Sequence, residues 1–235
     1  MQKTQQRVGI IGGMSWQSTA LYYSLLNQQI HDRLGGLHSA DIIVHSVDFH
    51  QISELQHNQQ WDELSRMMID SARLLENAGA TAIAIATNTM HKVAPDVAAA
   101  ISIPLLNIIS ATAQHCRADQ LQHVGLLGTR FTMHDPFYRD GLQQHGLQVT
   151  TPDTAAQHTI HQIIYEELCQ GTVTDAAQQQ FLAIMKDMTE HGVQGFILGC
   201  TEIGLLINSH ITRHTLVDTT QVHTRHIVRH LLGQH

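Results

Sequence analysis

Short runs of apolar residues alternate along this chain with longer stretches in which apolar side chains return every three or four positions. Buried strands give the first pattern and amphipathic helices the second, so the alternation predicts a parallel α/β fold. Arg7–Gly12 reads as a buried strand. A helix is expected from Ser15, carrying Leu21, Tyr22, Leu25 and Leu26 at helical spacing and stopping at Gly35–Gly36. A second strand is expected over about Asp41–Val47. A long helix follows over Trp61–Asn77, with Leu64, Met67, Met68 and Leu75 on its apolar face and Gly79 closing it. Thr81–Ala86 is almost wholly apolar and is read as a strand covered on both faces. Leu105–Ile109 reads as a fourth strand.

The pattern then restarts. Val8-Gly9-Ile10-Ile11-Gly12 is echoed by Val124-Gly125-Leu126-Leu127-Gly128, and Ala82–Thr87 by Gly195–Cys200. The spacing repeats too, with 78 positions from Gly9 to Thr87 and 75 from Gly125 to Cys200. Two similar α/β halves related by a pseudo-two-fold are expected, each a small, mostly parallel sheet flanked by helices. Right-handed crossovers would put Thr87 and Cys200 at the strand ends where such sheets bind ligands. Leu216–Asp218 reads as a short strand and Thr219–Leu232 as a terminal helix packing back on the first half. The expected division is therefore 1–115 with 216–235, carrying Thr87, and 116–215, carrying Cys200.

Composition narrows the function classes. Net charge is −7 with histidine neutral, and no Lys/Arg run occurs, which argues against nucleic acid or an acidic membrane surface as partner. The three cysteines, Cys116, Cys169 and Cys200, do not suggest a disulfide framework and fit a reducing compartment. Met1–Arg7 is polar and does not read as a signal peptide, and no apolar run reaches membrane-span length. A cytoplasmic protein is expected.

Three segments could carry chemistry. Gly9-Ile-Ile-Gly12-Gly13 is a strand with a glycine turn, but the G-x-G-x-x-G spacing of a dinucleotide site is absent. Thr87-Asn88-Thr89-Met90-His91 ends a buried strand at a helix start, where hydroxyls, an amide and helix N–H groups suit a carboxylate; plain N-capping needs only one such residue. Gly199-Cys200-Thr201-Glu202 is its counterpart. A thiol at a helix start can be a stabilised thiolate, although an isolated Cys is more often a small buried hydrophobe. Glu202 either faces the helix dipole or sets the protonation of Cys200. His223, His226 and His230 share one side of the terminal helix, without the spacing of a zinc site. Cys116 and Cys169 read as structural.

These residues resemble a known family. IGGMSWQST (residues 11–19), LGGLHSADIIVHSVDF (34–49), ATNTMHKVA (86–94), GLLGTRFTM (125–133) and LGCTEIGLL (198–206) are similar, in order, to motifs of the aspartate/glutamate racemases, nearest the branch with broad-specificity bacterial amino-acid racemases. The resemblance implies a homodimeric amino-acid racemase with its active site between the two halves. It implies two-base proton transfer at Cα without pyridoxal phosphate, other cofactor or metal. It implies catalytic groups at Thr87 and Cys200 and substrate contacts from Met14, Gln56, Asn88, Thr89 and Thr201; Ser15, His91 and Glu202, read from their places beside these groups, are the supporting candidates.

The chain departs from the family pattern twice. Thr87 stands where most members have Cys, and a hydroxyl is too weak an acid to rest as a base at neutral pH, so His91 or a water would have to relay its proton. Gln56 and Thr159 stand where members acting on acidic substrates carry a cation, and a second buried carboxylate without one is costly. A neutral polar substrate such as homoserine therefore competes with aspartate and glutamate, unless His158 or His161 supplies the charge. The alternatives are another activity of the superfamily (hydantoin racemase, arylmalonate decarboxylase, maleate isomerase) or an amino-acid-binding protein impaired in catalysis at Thr87.

Overall fold

The computed structural model describes residues 5–234. The reading of Met1–Arg7 falls in part on residues 1–4, outside the described residues. The chain divides into two compact units, the first holding the residues up to Ile108 and again those from His223 onward, the second Ile109–Val222.

In the first unit β1 (Val8–Gly12) leads through α1 (Trp16–Leu34) to β2 (Ile42–Ser46). Then follow α2 (Phe49–His57), α3 (Trp61–Asn77), β3 (Ala82–Ile85), α4 (Ala94–Ala100) and β4 (Leu105–Leu106). The strands pair in parallel in the order β2-β1-β3-β4. Every residue of β1 and β3 is buried, as continuous apolar runs require when helices cover both faces. One face packs Ile11, Ile83 and Ile85 against Leu64, Met68, Ala72 and Leu75 of α3. The other packs Val8, Ile10, Ala82 and Ala84 against Tyr22, Leu26 and Ile30 of α1 and Ile227, Val228 and Leu231 near the C-terminus. Each large side chain so buried contributes about 1.5–3 kcal/mol. Gly9 lets α3 approach this closely, since a Cβ there would lie 2.8 Å from that of Leu75.

The second unit repeats the plan. α5 (Ile108–Ala118) precedes β5 (His123–Gly128), α6 (Arg130–His134), α7 (Pro136–Gln143), β6 (Gln148–Thr150) and α8 (Thr154–Gln162). After a π-helical turn over Ile163–Glu167 and a 3-10 turn over Leu168–Gln170 come α9 (Asp175–Glu190), β7 (Gly195–Gly199), α10 (Ile203–Leu206) and β8 (Thr215–Asp218), and α11 (Thr219–Leu231) belongs to the first unit from His223 onward. The parallel order is β6-β5-β7-β8, the same as in the first sheet when strands are counted within each unit. The fold is thus two four-stranded parallel sheets flanked by helices, as the repeat predicts.

Three local expectations change. Residues 216–218 were grouped with the first half, but β8 pairs with β7 from Gly195↔Thr215 to Leu198↔Asp218 and completes the second sheet. The fourth strand stops at Leu106, because Ile108 already begins α5. Phe49–His57, which carries no clear sequence signal, is a helix capped by Asp48, whose side chain accepts from His50 N–H (3.1 Å). Among the described residues no helix is long and apolar enough to cross a membrane.

Candidate functional site

In the first unit β1 and β3 run in step, Ile11 opposite Ile85, and Ala86 N–H donates to Ile11 O (2.9 Å). Beyond these ends Gly13–Ser15 and Thr87–Thr89 therefore emerge at one edge of the sheet. Gly13 turns with φ +93°, and its N–H donates to Thr19 Oγ1 (2.7 Å). Ser15 caps α1, its hydroxyl accepting from Ser18 N–H (3.3 Å). Met14 is buried in the cluster that holds Ile52 and Met90, and buried Gln56 donates from Nε2 to the Met90 sulfur (3.2 Å). The structure thus gathers Met14, Gln56 and the Thr87–Met90 turn within one unit. Asn88 is buried, while Thr87 and Thr89 are half-buried.

The segment after β3 is not the start of an α-helix. It is a 3-10 turn over Thr89–Val93, α4 begins only at Ala94, and the Asn88 side chain makes no cap. A second correction concerns His91. Its Nδ1–H donates to the Thr87 carbonyl oxygen (2.8 Å), and its Nε2 accepts from Ile108 N–H (3.1 Å). Both nitrogens are engaged with backbone, so His91 is not placed to relay a proton from the Thr87 hydroxyl. Burial pushes its pKa down to about 4, so it is neutral at pH 7.

In the second unit Gly128 of β5 lies opposite Gly199 of β7, which sets Thr129 and Cys200 side by side just past the strand ends. Cys200 is half-buried, and its Sγ–H donates to Glu202 Oε2 (2.9 Å). The Thr201 hydroxyl donates to the same oxygen (2.5 Å). Of the two readings of Glu202, these contacts favour the one in which it sets the protonation of Cys200. α10 is a single turn, and burial, the charge of Glu202 and the hydrogen bond to it raise the Cys200 pKa well above the ordinary thiol value. Cys200 rests as a thiol on a carboxylate, and the pair can pass a proton between sulfur and oxygen.

The π-helical turn brings Tyr165 to this group, against the same core cluster as Cys200. Burial first, then the charge that Cys200, Cys169 and Glu202 carry when ionised, pushes its phenol up to about 12. Cys169 is exposed rather than a core residue, and Glu202's charge reaches it. Nothing in the sequence signals either neighbour, because both are more than 30 positions from Cys200 and arrive through an irregular turn.

Thr159, His158, His161 and the three C-terminal histidines have surroundings of their own. The Thr159 hydroxyl donates to Ala155 O (3.2 Å) within α8. His158 is exposed, and His161 accepts from Arg130 N–H at Nδ1 (3.3 Å) and lies 4.6 Å from the Tyr165 ring. His223, His226 and His230 part company. His223 bonds Tyr22 and Leu106, His230 bonds Thr81 Oγ1 (3.2 Å), and half-buried His226 neighbours Arg229. Among the described residues no three His, Cys, Asp or Glu side chains gather as a metal site.

The sequence model of the Asp/Glu/hydantoin racemases matches residues 11–227. A solved structure of a proposed Asp/Glu racemase from Yersinia pestis is 44% identical, covers 97% of this chain and 99% of that one, and superposes with a TM-score of 0.92. An aspartate racemase homologue from Pyrococcus horikoshii is 32% identical over 97% of this chain and 99% of that one, with a TM-score of 0.84. The broad specificity amino-acid racemase RacX of Bacillus subtilis is 23% identical over 91% of this chain and 92% of its own. With one family's sequence pattern running from β1 into α11, the chain belongs to the Asp/Glu/hydantoin racemase family.

Proposed function

We propose that this protein is an amino-acid racemase that inverts Cα by two-base proton transfer, without pyridoxal phosphate or metal. The observation that carries the reading is the Cys200 thiol resting on Glu202 Oε2 at 2.9 Å, just past the end of a buried strand. Racemisation needs an acid/base group for each face of Cα. Cys200 serves one face. Its proton passes to Glu202, the thiolate takes the Cα proton, and the carbanion is reprotonated on the other face. Thr87 is the donor there, and as water restores its hydroxyl proton Glu202 releases the proton it took, which closes the cycle.

The Thr87 side is the slower one, because forming an alkoxide at neutral pH is far harder than forming a thiolate. Enantiomers have equal free energies, so this handicap cannot make net conversion one-way. It makes exchange of the Cα proton on the Cys200 face outrun inversion. Met14, Gln56, Asn88, Thr89 and Thr201 hold the substrate, with Ser15 and Glu202 in support and Thr159 as a side-chain contact. Gln56 and Thr159 carry no charge, which suits a neutral polar side chain such as that of homoserine beside aspartate and glutamate. The broad specificity in the Bacillus relative's name supports testing all three.

The experiment is proton exchange in D2O with each enantiomer, read by NMR, alongside inversion read by polarimetry. Activity on a hydantoin or a malonate with none on amino acids would replace this reading, and binding of an amino acid without exchange would make the chain a binding protein. The same reading carries a cytoplasmic homodimer, which fractionation and light scattering test.

A further inference from the structure

Behind the Thr87 turn lies a buried chain of hydrogen bonds that the proposed reaction does not use directly. Tyr22 O–H meets His223 Nδ1 at 2.8 Å, and His223 Nε2 meets Leu106 O at 2.7 Å. Ile108 N–H meets His91 Nε2 at 3.1 Å, and His91 Nδ1 meets Thr87 O at 2.8 Å. The two imidazoles pack edge to face, 5.9 Å apart. All of Tyr22, His91 and His223 are at most 2% exposed.

The partners fix every proton. A carbonyl can only accept and an amide N–H can only donate, so His91 carries its hydrogen on Nδ1 and His223 on Nε2. Each ring then has one donor and one acceptor and is neutral, in agreement with pKa values of about 4 and about 3, lowered chiefly by burial. The chain runs one way, from the Tyr22 hydroxyl on α1, through His223 of α11 and the link from β4 to α5 around Asn107, to the Thr87 carbonyl.

Satisfying buried polar groups would account for such a network anywhere in a core. Its end point is what gives it a role. β3 pairs with β1 only as far as Ile85, with one further bond from Ala86, so Thr87 lies past the ladder that would otherwise fix its backbone. The His91 side chain holds the Thr87 peptide where the sheet stops, and an error of about 1 Å in a reacting group can cost on the order of a hundredfold. We propose that His91, backed by His223 and Tyr22, is a positioning residue that sets the Thr87 hydroxyl for proton return.

This inference rests on the proposed racemisation, and two substitutions separate it from a merely structural role. In His91→Asn the amide nitrogen reaches the Nδ1 position and keeps the bond to Thr87 O. In His91→Gln the amide oxygen reaches the Nε2 position and keeps the bond from Ile108 N–H, losing the one to Thr87. Each variant forfeits one hydrogen bond, so their melting temperatures should fall alike. The ratio of inversion to Cα-proton exchange should stay within about threefold of wild type in His91→Asn and fall tenfold or more in His91→Gln.

Equal ratios in the two variants, or ratios that simply follow melting temperature, overturn the proposal. Tyr22→Phe, which trims only the far end, should lower the ratio by roughly two- to fivefold, and no change there removes His223 and Tyr22 from the role. Should the wild type exchange no Cα proton, the racemase reading fails on its own and the positioning claim is judged by chemistry at Thr87→Cys. That thiol should alkylate roughly tenfold faster in the His91→Gln background than in His91→Asn, and equal rates overturn the claim.

Discussion

Replacing Glu202 with glutamine removes a negative charge from beside the Cys200 sulfur while leaving an amide of nearly the same shape. Sγ and Oε2 are 2.9 Å apart, so a thiolate and the carboxylate would have charge centres about 4 Å apart. At an effective dielectric of about 20 that repulsion is about 4 kcal/mol. Cys200 is only half-buried, and water screening brings it to about 2 kcal/mol. Relieving it raises the thiolate fraction at fixed pH by roughly 30-fold. A less basic thiolate is also a weaker nucleophile, and a Brønsted slope of about 0.4–0.5 takes back nearly half of that gain on a logarithmic scale. Glu202→Gln should therefore alkylate at Cys200 some ~5–10-fold faster at pH 7. The assay is iodoacetamide labelling across pH, with peptide mass spectrometry separating Cys200 from Cys116 and Cys169. The alkaline limb of the exchange rate should move to lower pH in the same variant. An unchanged or slower labelling rate would refute the view that Glu202 holds Cys200 as a thiol.

Cys200→Ala should lose Cα-proton exchange and inversion by ~10²–10⁴-fold, measured with the wild type's best substrate, whereas Thr87→Cys should raise inversion tenfold or more. Full activity in Cys200→Ala contradicts the assignment. Acid should unfold the protein through its buried imidazoles. His91 has a folded pKa of about 4 against 6.5, so the unfolded chain takes up a proton first and stability falls from about pH 6.5 down to about 4. At 1.36 kcal/mol per unit this is ~3 kcal/mol from His91, with a further loss from His223 extending to about pH 3. Denaturant midpoints measured across that range check it, and a flat profile contradicts it. Gly13→Ala should lower the melting temperature by roughly 5–10 °C, because a Cβ at φ +93° would sit 2.1 Å from Val47 O. An unchanged melting temperature would show that the turn relaxes freely.

Regular elements were legible because burial writes itself into sequence. The wholly apolar Ala82–Ile85 and Gly195–Gly199 could only be strands covered on both faces, and α3 fills Trp61–Asn77 as its periodicity predicts. The repeat of these runs gave the two-sheet plan. What periodicity could not give was the state of each functional group. Cys200 and Glu202 are two residues apart, yet whether the carboxylate stabilises a thiol or stands off from a thiolate depends on a side-chain rotamer and on α10 being only one turn. The histidines show the same limit. His223, His226 and His230 share a helix side, but each finds a partner of its own, and His91 meets His223 across 132 positions. Tyr165 came to Cys200 through a π-helical turn, which has no composition signal. Residues 215–218 joined the second sheet because β7 offers an unpaired edge in the register Gly195↔Thr215, a pairing that sequence spacing does not reveal.

The central claim is that Cys200 and Thr87 exchange protons with an amino acid at Cα. The most direct measurement is incubation of the chelator-treated, cofactor-free protein in D2O with each enantiomer of aspartate, glutamate and homoserine, following Cα deuteration by NMR and inversion by polarimetry. The account predicts rapid deuteration of one enantiomer with slower inversion, both lost in Cys200→Ala. No deuteration of any of the six substrates, or deuteration that persists undiminished in Cys200→Ala, would contradict it.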